Sequence, residues 1–257
     1  MNYNYHTHTY RCGHATGKPE EYIKRALECG IEYMGFSDHI PFRFPDGFES
    51  PGIRVPTSEG KAYCSQLKRL RRKYRDKIEI SIGFESEYYP EYFDEMLRNA
   101  KGYGAEYLIL GIHFIAPEIT GDRHTFHETK NERRLKKYAD TAIAAMETGA
   151  FTYVAHPDIL NFRGSPNSYR EEMRRICVAS RELNIPLEIN FLGIRGERYY
   201  PRGEFWQIAG EEKAPVTFGF DAHSVHSAYD GESLLVAEEM VKEYDLNYIG
   251  KPELRLI

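Results

Sequence analysis

Residues 78–85 read Ile-Glu-Ile-Ser-Ile-Gly-Phe-Glu, with an apolar side chain at every second position and a carboxylate at the end. Strict alternation of this kind predicts a β-strand, because successive side chains of a strand point to opposite faces. Glu85 closes the run. The sequence therefore predicts a strand that delivers a carboxylate to its own carboxyl end.

Similar short apolar runs recur on both sides of this segment. Together they predict strands at 2–6, 32–37, 78–85, 106–113, 152–156, 186–190 and 215–221. Longer amphipathic segments predict helices at 19–29, 58–74, 91–102, 131–148, 167–183 and 232–243. Repeated alternation of strand and helix favours a parallel sheet with right-handed crossovers, either doubly wound or closed as a barrel. The sequence does not decide whether an eighth strand follows near the carboxyl terminus.

The predicted connections differ in length according to their direction. Helix-to-strand connections are short, at 30–31, 75–77, 149–151 and 184–185. Strand-to-helix connections are long, at 40–56, 114–128, 157–165 and 191–203. Long loops after the strands are typical of the active face of an α/β barrel, and 257 residues is a common length for one. We expect a single domain spanning residues 1–257.

Composition excludes some classes of partner. The chain is 41% hydrophobic and 28% charged, with a formal charge of −5, so it has no basic footprint for nucleic acid. It has no apolar run of the roughly 18 residues that a membrane span needs, and no signal peptide. We expect a cytoplasmic protein with four reduced cysteines. Cys12, near the histidines, is either a ligand or a bystander, and the sufficiency of the other ligands favours the bystander.

The histidines cluster on the predicted map. A single histidine or acid is most often a core or surface residue. Six of the ten histidines nevertheless fall at predicted strand carboxyl ends: His6, His8, His39, His113, His156 and His223. Side chains two residues apart on a strand share a face, so His6 and His8, like Asp221 and His223, point to one side. Asp38 is predicted to orient a ligand imidazole.

These residue types suit one kind of chemistry. Imidazole and carboxylate ligands without thiolate favour Zn²⁺, Mn²⁺ or Fe²⁺. The ligands outnumber what one ion can use, so we predict a multinuclear site in which Glu85 bridges two ions. Water held between such ions becomes a nucleophile near neutral pH, which is the basis of metal-assisted hydrolysis.

An ordered set of motifs then resembles a known family. They are His-Thr-His-Thr at 6–9 with His14 following, Ser-Asp-His at 37–39, Gly-Phe-Glu at 83–85, Gly-Ile-His at 111–113, Ala-His-Pro at 155–157, Glu-Ile-Asn at 188–190 and Phe-Asp-Ala-His at 220–223. This set resembles the PHP (polymerase and histidinol phosphatase) family over nearly the whole chain. Its histidinol-phosphate phosphatase branch is the most similar.

The resemblance implies a distorted (β/α)7 TIM-like barrel with a site for three divalent metal ions. By resemblance, one ion is held by His6, His8, Glu85 and Asp221, the second by Glu85, His113 and His156, and the third by His14, His39 and His223. Glu85, Asp221 and His223 are the expected catalytic residues. The implied reaction is hydrolysis of L-histidinol phosphate to L-histidinol and phosphate in histidine biosynthesis.

Phosphate recognition requires positive charge near the metal site. The resemblance favours Arg163 and Arg195, which lie in long loops, although each is as well explained as an exposed loop arginine. Weaker candidates are Arg11, Arg43, Arg54, Arg198 and Arg202. Aromatic residues of loops 40–56 and 114–128 either cover a ligand or form a satellite core.

Alternative functions remain open. They are a phosphoesterase for another small phosphomonoester, a metal-binding barrel without catalysis, and an enzyme that cleaves C–N bonds with fewer ions. We expect a small-molecule substrate, without nucleic acid or membrane partners. The sequence does not indicate an oligomeric state.

Overall fold

A computed structural model describes residues 1–50 and 52–257, and its centre is a parallel sheet. Its strands, in spatial and chain order, are β1 Tyr3–Asn4, β2 Tyr33–Phe36, β3 Glu79–Ser86, β4 Tyr107–Leu110, β5 Phe151–Val154, β6 Leu187–Asn190, β7 Pro215–Gly219 and β8 Asn247–Tyr248. Each of the seven predicted strands is present, with ends shifted by a few residues. The eighth strand, which the sequence left undecided, is the short β8, and it pairs with the start of β7.

Helices connect the strands and cover the outside of the sheet. They are α1 Pro19–Glu28, α2 Gly60–Tyr74, α3 Phe93–Tyr103, α4 Glu132–Glu147, α5 Pro166–Leu183, α6 Phe191–Arg195, α7 Gly203–Glu212 and α8 Gly231–Glu243. The six predicted helices correspond to α1–α5 and α8. Two more helices were not predicted: α6 lies within the predicted loop 191–203, and α7 follows that loop. Within α7, Gly203 and Gly210 lower the helix propensity, but burial of Phe205 and Trp206 outweighs it.

The sheet curls until its first and seventh strands meet. Beyond β1 and β7, Thr7 pairs with Ala222 in a parallel bridge. His8 N donates to Ala222 O at 2.9 Å, and Ala222 N donates to His6 O at 3.1 Å. This contact, called the seam below, brings the carboxyl ends of β1 and β7 together. The curled α/β barrel agrees with the predicted fold class.

Two hydrophobic clusters support the carboxyl ends of the strands. The larger lies between sheet and helices and takes in Ile80, Ile82 and Phe84 of β3. The smaller fills the inside of the curled sheet with aromatic rings, among them Tyr107 and Tyr153. The polar side chains at the strand ends therefore lie directly above a packed apolar layer, because the rings beneath them exclude solvent from the barrel interior.

The aromatic residues of loop 40–56 are divided between core and surface. Phe42 and Phe44 are buried, with ring centroids 5.0 Å apart, and both pack on Tyr92. Phe48 is exposed. Phe42 and Phe44 therefore form a satellite core under the loop.

Among the helices that the structure describes, none combines the length and the apolar character needed to cross a membrane.

Candidate metal centre

The predicted ligands converge at one end of the barrel. His6 and His8 follow β1, His39 follows β2, Glu85 lies in β3, His113 follows β4, His156 follows β5, and Asp221 and His223 follow β7. All of these strands run in parallel, so their carboxyl ends meet on one rim. The rim forms a cavity of about 680 Å³ whose lining includes Glu85, His113, His156 and Asp221.

Glu85 lies at the middle of the cluster and divides the histidines between its two oxygens. Oε1 is 2.9 Å from His156 Nε2 and 3.4 Å from His113 Nε2. Oε2 is 3.2 Å from His39 Nδ1 and 3.4 Å from His8 Nε2. Imidazoles therefore lie near both oxygens of Glu85, and its bridging of two ions stays a prediction.

Asp221 lies close to three histidines, two across the seam and one on its own side. Its Oδ1 is 3.3 Å from His8 Nε2, 3.5 Å from His6 Nε2 and 3.2 Å from His223 Nδ1. Ligand atoms lie within 4.8 Å of one another in several sets of three, including His6–His8–Asp221, His39–Glu85–His113 and His8–His39–His223. These sets share members, so the cluster is continuous.

His14 is less tightly placed than the other predicted ligands. It is exposed, and its ring centroid lies 4.9 Å from that of His223 and 5.2 Å from that of His39. Its Nδ1 lies 3.0 Å from Gly52 O and 3.2 Å from Cys12 O, so hydrogen bonds at Nδ1 leave Nε2 available. His14 is not a member of any compact set among the described residues.

Unpaired buried atoms show that the cluster suits metal ions. Buried polar atoms in proteins nearly always have hydrogen-bond partners. Within residues 1–50 and 52–257, several buried atoms of the cluster have none: His6 Nε2, His8 Nδ1 and Nε2, His39 Nδ1, Glu85 Oε2, His156 Nδ1 and Asp221 Oδ1. Among them His6 Nε2, His8 Nε2 and Asp221 Oδ1 lie within 3.5 Å of a neighbour in the set. Imidazole nitrogens and carboxylate oxygens that converge unpaired are the donor set of a divalent metal site.

The pKa shifts of several residues in the cluster suit metal binding. Burial raises the pKa of Glu85, but His113, His39 and His6 outweigh it and hold that pKa well below its usual value. Burial, with a contribution from His223, lowers the pKa of His8 to about 3. Burial likewise lowers the pKa of His39 well below its usual value. An ionised carboxylate and neutral imidazoles are the forms that bind metal, so Glu85, His8 and His39 are suited to it. At His6 and His113 the neighbouring carboxylates outweigh burial and raise the pKa, so an ion would have to displace a proton there.

Two buried carboxylates behind the histidines were not assigned a role from the sequence. Glu188 Oε1 is 2.8 Å from His6 Nδ1, and its Oε2 accepts His156 N–H at 3.1 Å. Glu87 Oε1 is 3.0 Å from His113 Nδ1. Each acid fixes an imidazole tautomer so that Nε2 faces the centre. The available signal was spacing, since Glu87 follows Glu85 by two residues and Glu188 interrupts an apolar strand.

Asp38, predicted to orient an imidazole, is engaged elsewhere. It lies 3.8 Å from His8 Nδ1, beyond hydrogen-bond range, and accepts Thr9 N–H and Thr9 Oγ1–H at 2.8 and 2.5 Å. Burial raises the pKa of Asp38 to about 7. Cys12 is buried beside it and donates to Thr9 O at 3.2 Å. Asp38 therefore anchors Thr9 at the start of the loop after β1.

The backbone is left-handed at two predicted ligands. φ is +32° at His156 and +45° at Asp221, values that are uncommon outside glycine and often occur at functional sites. Arg195 supports the second of these turns, since its guanidinium donates to Phe220 O at 2.6 Å and Asp221 O at 2.5 Å. Arg195 also contacts Asp230 Oδ2 at 3.4 Å.

Comparison with known proteins identifies the family. The family model described as PHP domain matches residues 4–191. The chain belongs to the PHP domain family. This confirms the resemblance found in the sequence.

Relatives of this PHP chain include named phosphatases. The histidinol-phosphatase of Bacillus subtilis is 27% identical over 251 residues, covering 85% of this chain and 92% of that protein. A Deinococcus radiodurans protein named "Probable histidinol-phosphatase" is 26% identical over 230 residues, covering 85% of each.

A solved structure shares the fold of this PHP chain. It is the histidinol phosphate phosphatase of Lactococcus lactis, complexed with zinc, L-histidinol and phosphate. The TM-score is 0.70 at 20% identity, and the match covers 96% of this chain and 95% of that one. At this identity the similarity establishes the fold.

The arginines of this PHP chain are placed differently from the sequence expectation. Arg163 is exposed, and its Nε donates to Asn161 Oδ1 at 3.0 Å. Arg195 is held by the backbone of Phe220 and Asp221. Among the described residues, Arg198 is the arginine that lines the cavity, and it donates to Tyr200 Oη at 2.9 Å. The phosphate roles of Arg163 and Arg195 stay predictions.

Proposed function

We propose that this chain hydrolyses L-histidinol phosphate to L-histidinol and inorganic phosphate, using three divalent ions of Zn²⁺, Mn²⁺ or Fe²⁺. The observation that carries the proposal is the cluster of unpaired imidazole nitrogens and carboxylate oxygens around Glu85 and Asp221, at the floor of the cavity. The names of the Bacillus subtilis and Deinococcus radiodurans relatives support the substrate.

The two oxygens of Glu85 support the predicted division of ligands. His6 and His8 would share one ion with Asp221 and Glu85 Oε2, and His113 and His156 would hold a second with Glu85 Oε1. His39 and His223 would hold the third, completed by Nε2 of His14. When bound, such ions supply Lewis acidity and lower the pKa of a coordinated water.

The chain's own groups would bind and orient the phosphomonoester. Arg198 would donate to phosphate oxygens, because a guanidinium matches them well. Tyr200 accepts the Arg198 N–H, so its own Oη proton is free for the cavity. Tyr200 would therefore donate a hydrogen bond to the leaving oxygen.

The cavity wall suits the imidazole of histidinol. Phe126, Tyr199 and His124 line it, together with the aliphatic Ile53 and Ile159. His124 Nδ1 accepts Phe126 N–H at 3.1 Å, which makes Nε2 the protonated nitrogen of the neutral ring. Aromatic rings beside a fixed N–H donor favour a flat heteroaromatic ligand over a purely aliphatic one.

The test is steady-state kinetics on a panel of phosphomonoesters. The metal-loaded chain should hydrolyse L-histidinol phosphate with a far higher kcat/KM than p-nitrophenyl phosphate or a sugar phosphate. Equal rates on all substrates would exclude the specific assignment. His8→Ala and Glu85→Ala should lose metal and turnover together, and full activity in either would exclude the site.

Other sequence expectations remain proposals alongside this one. We assign residues 1–257 to one catalytic domain, supported by the continuous core beneath the cavity. A cytoplasmic location is supported by the four free cysteines, which suit a reducing compartment.

A further inference from the structure

A chain of buried charges lies beside the metal centre and ends on one of its histidines. Arg54 Nη2 is 2.6 Å from Glu87 Oε2 and donates to Glu118 Oε1 at 2.7 Å. Glu87 Oε1 in turn is 3.0 Å from His113 Nδ1. The side chains of Glu118, Arg54 and Glu87 are 6%, 2% and 1% exposed. We call these three residues the charge relay.

The relay joins parts of the chain that are far apart in sequence. Glu87 follows β3, Arg54 belongs to the loop after β2, and Glu118 belongs to the loop after β4. Ser50 Oγ and Tyr89 Oη also donate to Glu118, at 3.1 and 2.9 Å. The relay therefore fastens two cavity loops to each other and to the strand that carries Glu85.

Both loops also reach the cavity. Ile53, next to Arg54, lines it, and so do His124 and Phe126 of the loop that carries Glu118. A shift of the relay would move the cavity wall at Ile53 and the imidazole of His113 together.

Stability alone does not explain these charges. Removing a guanidinium and two carboxylates from water is costly, and well-packed apolar side chains often stabilise a fold equally well. The relay holds more carboxylate than guanidinium charge, which leaves Glu87 a strong acceptor for His113 Nδ1–H. That hydrogen bond directs His113 Nε2 toward Glu85 Oε1, 3.4 Å away.

We propose that Glu87, Arg54 and Glu118 are positioning residues that fix His113 as a metal ligand and couple retention of its ion to the two cavity loops. Glu87 acts on His113 directly, Arg54 acts through Glu87, and Glu118 acts through Arg54. This inference rests on the metal ligation that is part of the proposed function.

The test measures metal content rather than turnover. Wild type, Glu87→Gln, Arg54→Lys and Arg54→Met are loaded with Zn²⁺, dialysed against graded chelator and assayed by mass spectrometry. Glu87→Gln should release one ion per chain at a roughly 10- to 100-fold lower chelator strength than wild type, because partners behind a ligand imidazole have effects of that size. Arg54→Met should resemble it, and Arg54→Lys should restore part of the loss.

Arg71→Met is the matched control. Arg71 pairs with Glu106 at 2.7 Å, ahead of β4 and thus at the opposite end of the barrel from the ligands. Its metal content should equal that of wild type. If Arg54→Met does not fold, the nearly isosteric Glu87→Gln still decides the question.

A second readout follows the coupling to the loops. Hydrogen exchange in 114–128 should rise when metal is removed from wild type, and it should already be raised in metal-loaded Glu118→Gln. The proposed coupling would be overturned if Glu87→Gln kept its zinc as firmly as wild type does. It would also be overturned if hydrogen exchange in 114–128 were unchanged both in metal-free wild type and in metal-loaded Glu118→Gln. A wild-type chain that binds no divalent metal would instead overturn the proposed function.

Discussion

At the scale of single residues, Glu188 contacts two histidines of the cluster, one through its imidazole and one through its backbone. It accepts His156 N–H and pairs with His6 Nδ1, and Asn190 Nδ2 donates to its Oε2 at 2.9 Å. In Glu188→Gln one oxygen becomes an NH₂ group. An NH₂ group can only donate. In one orientation it faces the two N–H donors that now bind Oε2, and in the other it faces the N–H of His6 Nδ1, so at least one hydrogen bond is lost.

Glu188→Gln should therefore weaken metal binding by roughly 10- to 100-fold, as expected for a partner behind a ligand imidazole. Competition with a chromogenic chelator measures the affinity. Glu182→Gln, an exposed change on α5, is the control and should bind like wild type. Equal affinities in the two variants would refute this role of Glu188.

Arg198 gives a second prediction at this scale. Loss of a charge-assisted hydrogen bond costs about 1.5–3 kcal/mol, so Arg198→Met should raise the KM for the phosphomonoester on the order of tenfold or more. Inhibition by inorganic phosphate should weaken in parallel. Arg163→Met is the comparison, because Arg163 is not among the residues that line the cavity and its side chain contacts Asn161. A larger increase in KM in Arg163→Met than in Arg198→Met would instead favour Arg163 as the phosphate contact.

Sequence patterns predicted which residues come together in the cluster better than they predicted the groups behind them. Residues such as His6 and Asp221 were found because strand order alone brings their strand ends to one rim. Glu188 belongs to one of the quoted motifs but was given no role, since a single acid in a short strand has many explanations. The direction of Arg195 depends on the turn at Asp221, which periodicity does not encode.

At the scale of elements, a glycine after β4 makes room for the carboxylate of Glu85. A Cβ built on Gly111 would overlap Glu85 Oε1 and crowd its Cδ and Cγ. Gly111→Ala should displace Glu85, so metal content and turnover should both fall sharply while the far-ultraviolet dichroism stays near wild type. Gly102→Ala in α3, where a Cβ meets nothing within 4 Å, is the control. That variant should keep its metal and gain roughly 0.5–1 kcal/mol of stability.

The loop after β4 is anchored by a carboxylate and gives a pH prediction. Asp122 accepts Ile115 N–H and Ala116 N–H at 2.8 and 3.1 Å and Arg134 Nη1–H at 2.5 Å. Burial raises the pKa of Asp122, but Arg134 and the two amides outweigh it and lower that pKa below its usual value. A lowered pKa stabilises the fold above the unfolded value near 4 and loses that effect as the pH falls further.

In the presence of chelator at pH 6, the free energy of unfolding of wild type should accordingly exceed that of Asp122→Asn by about 1–2 kcal/mol. Denaturant titration measures this difference. The gap should close as the pH falls below about 4, where the wild-type carboxylate takes up a proton. Chelation of both proteins removes metal release as a cause. A gap that widens toward acid pH would contradict a lowered pKa at Asp122.

Element prediction succeeded where side-chain periodicity is strong and failed where burial decides. The alternation of Ile80 and Ile82 predicted β3 within one residue at each end. The helix Gly203–Glu212 was missed because two glycines weaken its local signal, and its apolar face becomes apparent only when it packs.

At the scale of the whole molecule, the seam between the first and seventh strands crosses the metal centre. His6 and His8 lie on one side of it and Asp221 and His223 on the other. The backbone joins the two sides through His8 N–H to Ala222 O and Ala222 N–H to His6 O. The sequence predicted a barrel but not this contact, since closure depends on how far the sheet curls. An ion shared by His8 and Asp221 would hold the barrel closed.

Removing the metal should therefore loosen the seam first. In a chelated sample, hydrogen exchange at the amides of His8 and Ala222 should accelerate by at least tenfold. The β2–β3 ladder around Met34 and Ile80, remote from the ligands, should change little. Binding that is lost on chelation also lowers the free energy of unfolding by RT ln(1 + [L]/Kd), so the melting temperature should fall as well. A uniform acceleration across both regions would mean that the ions stabilise the barrel as a whole, whereas unchanged exchange at His8 and Ala222 would mean that no ion spans the seam.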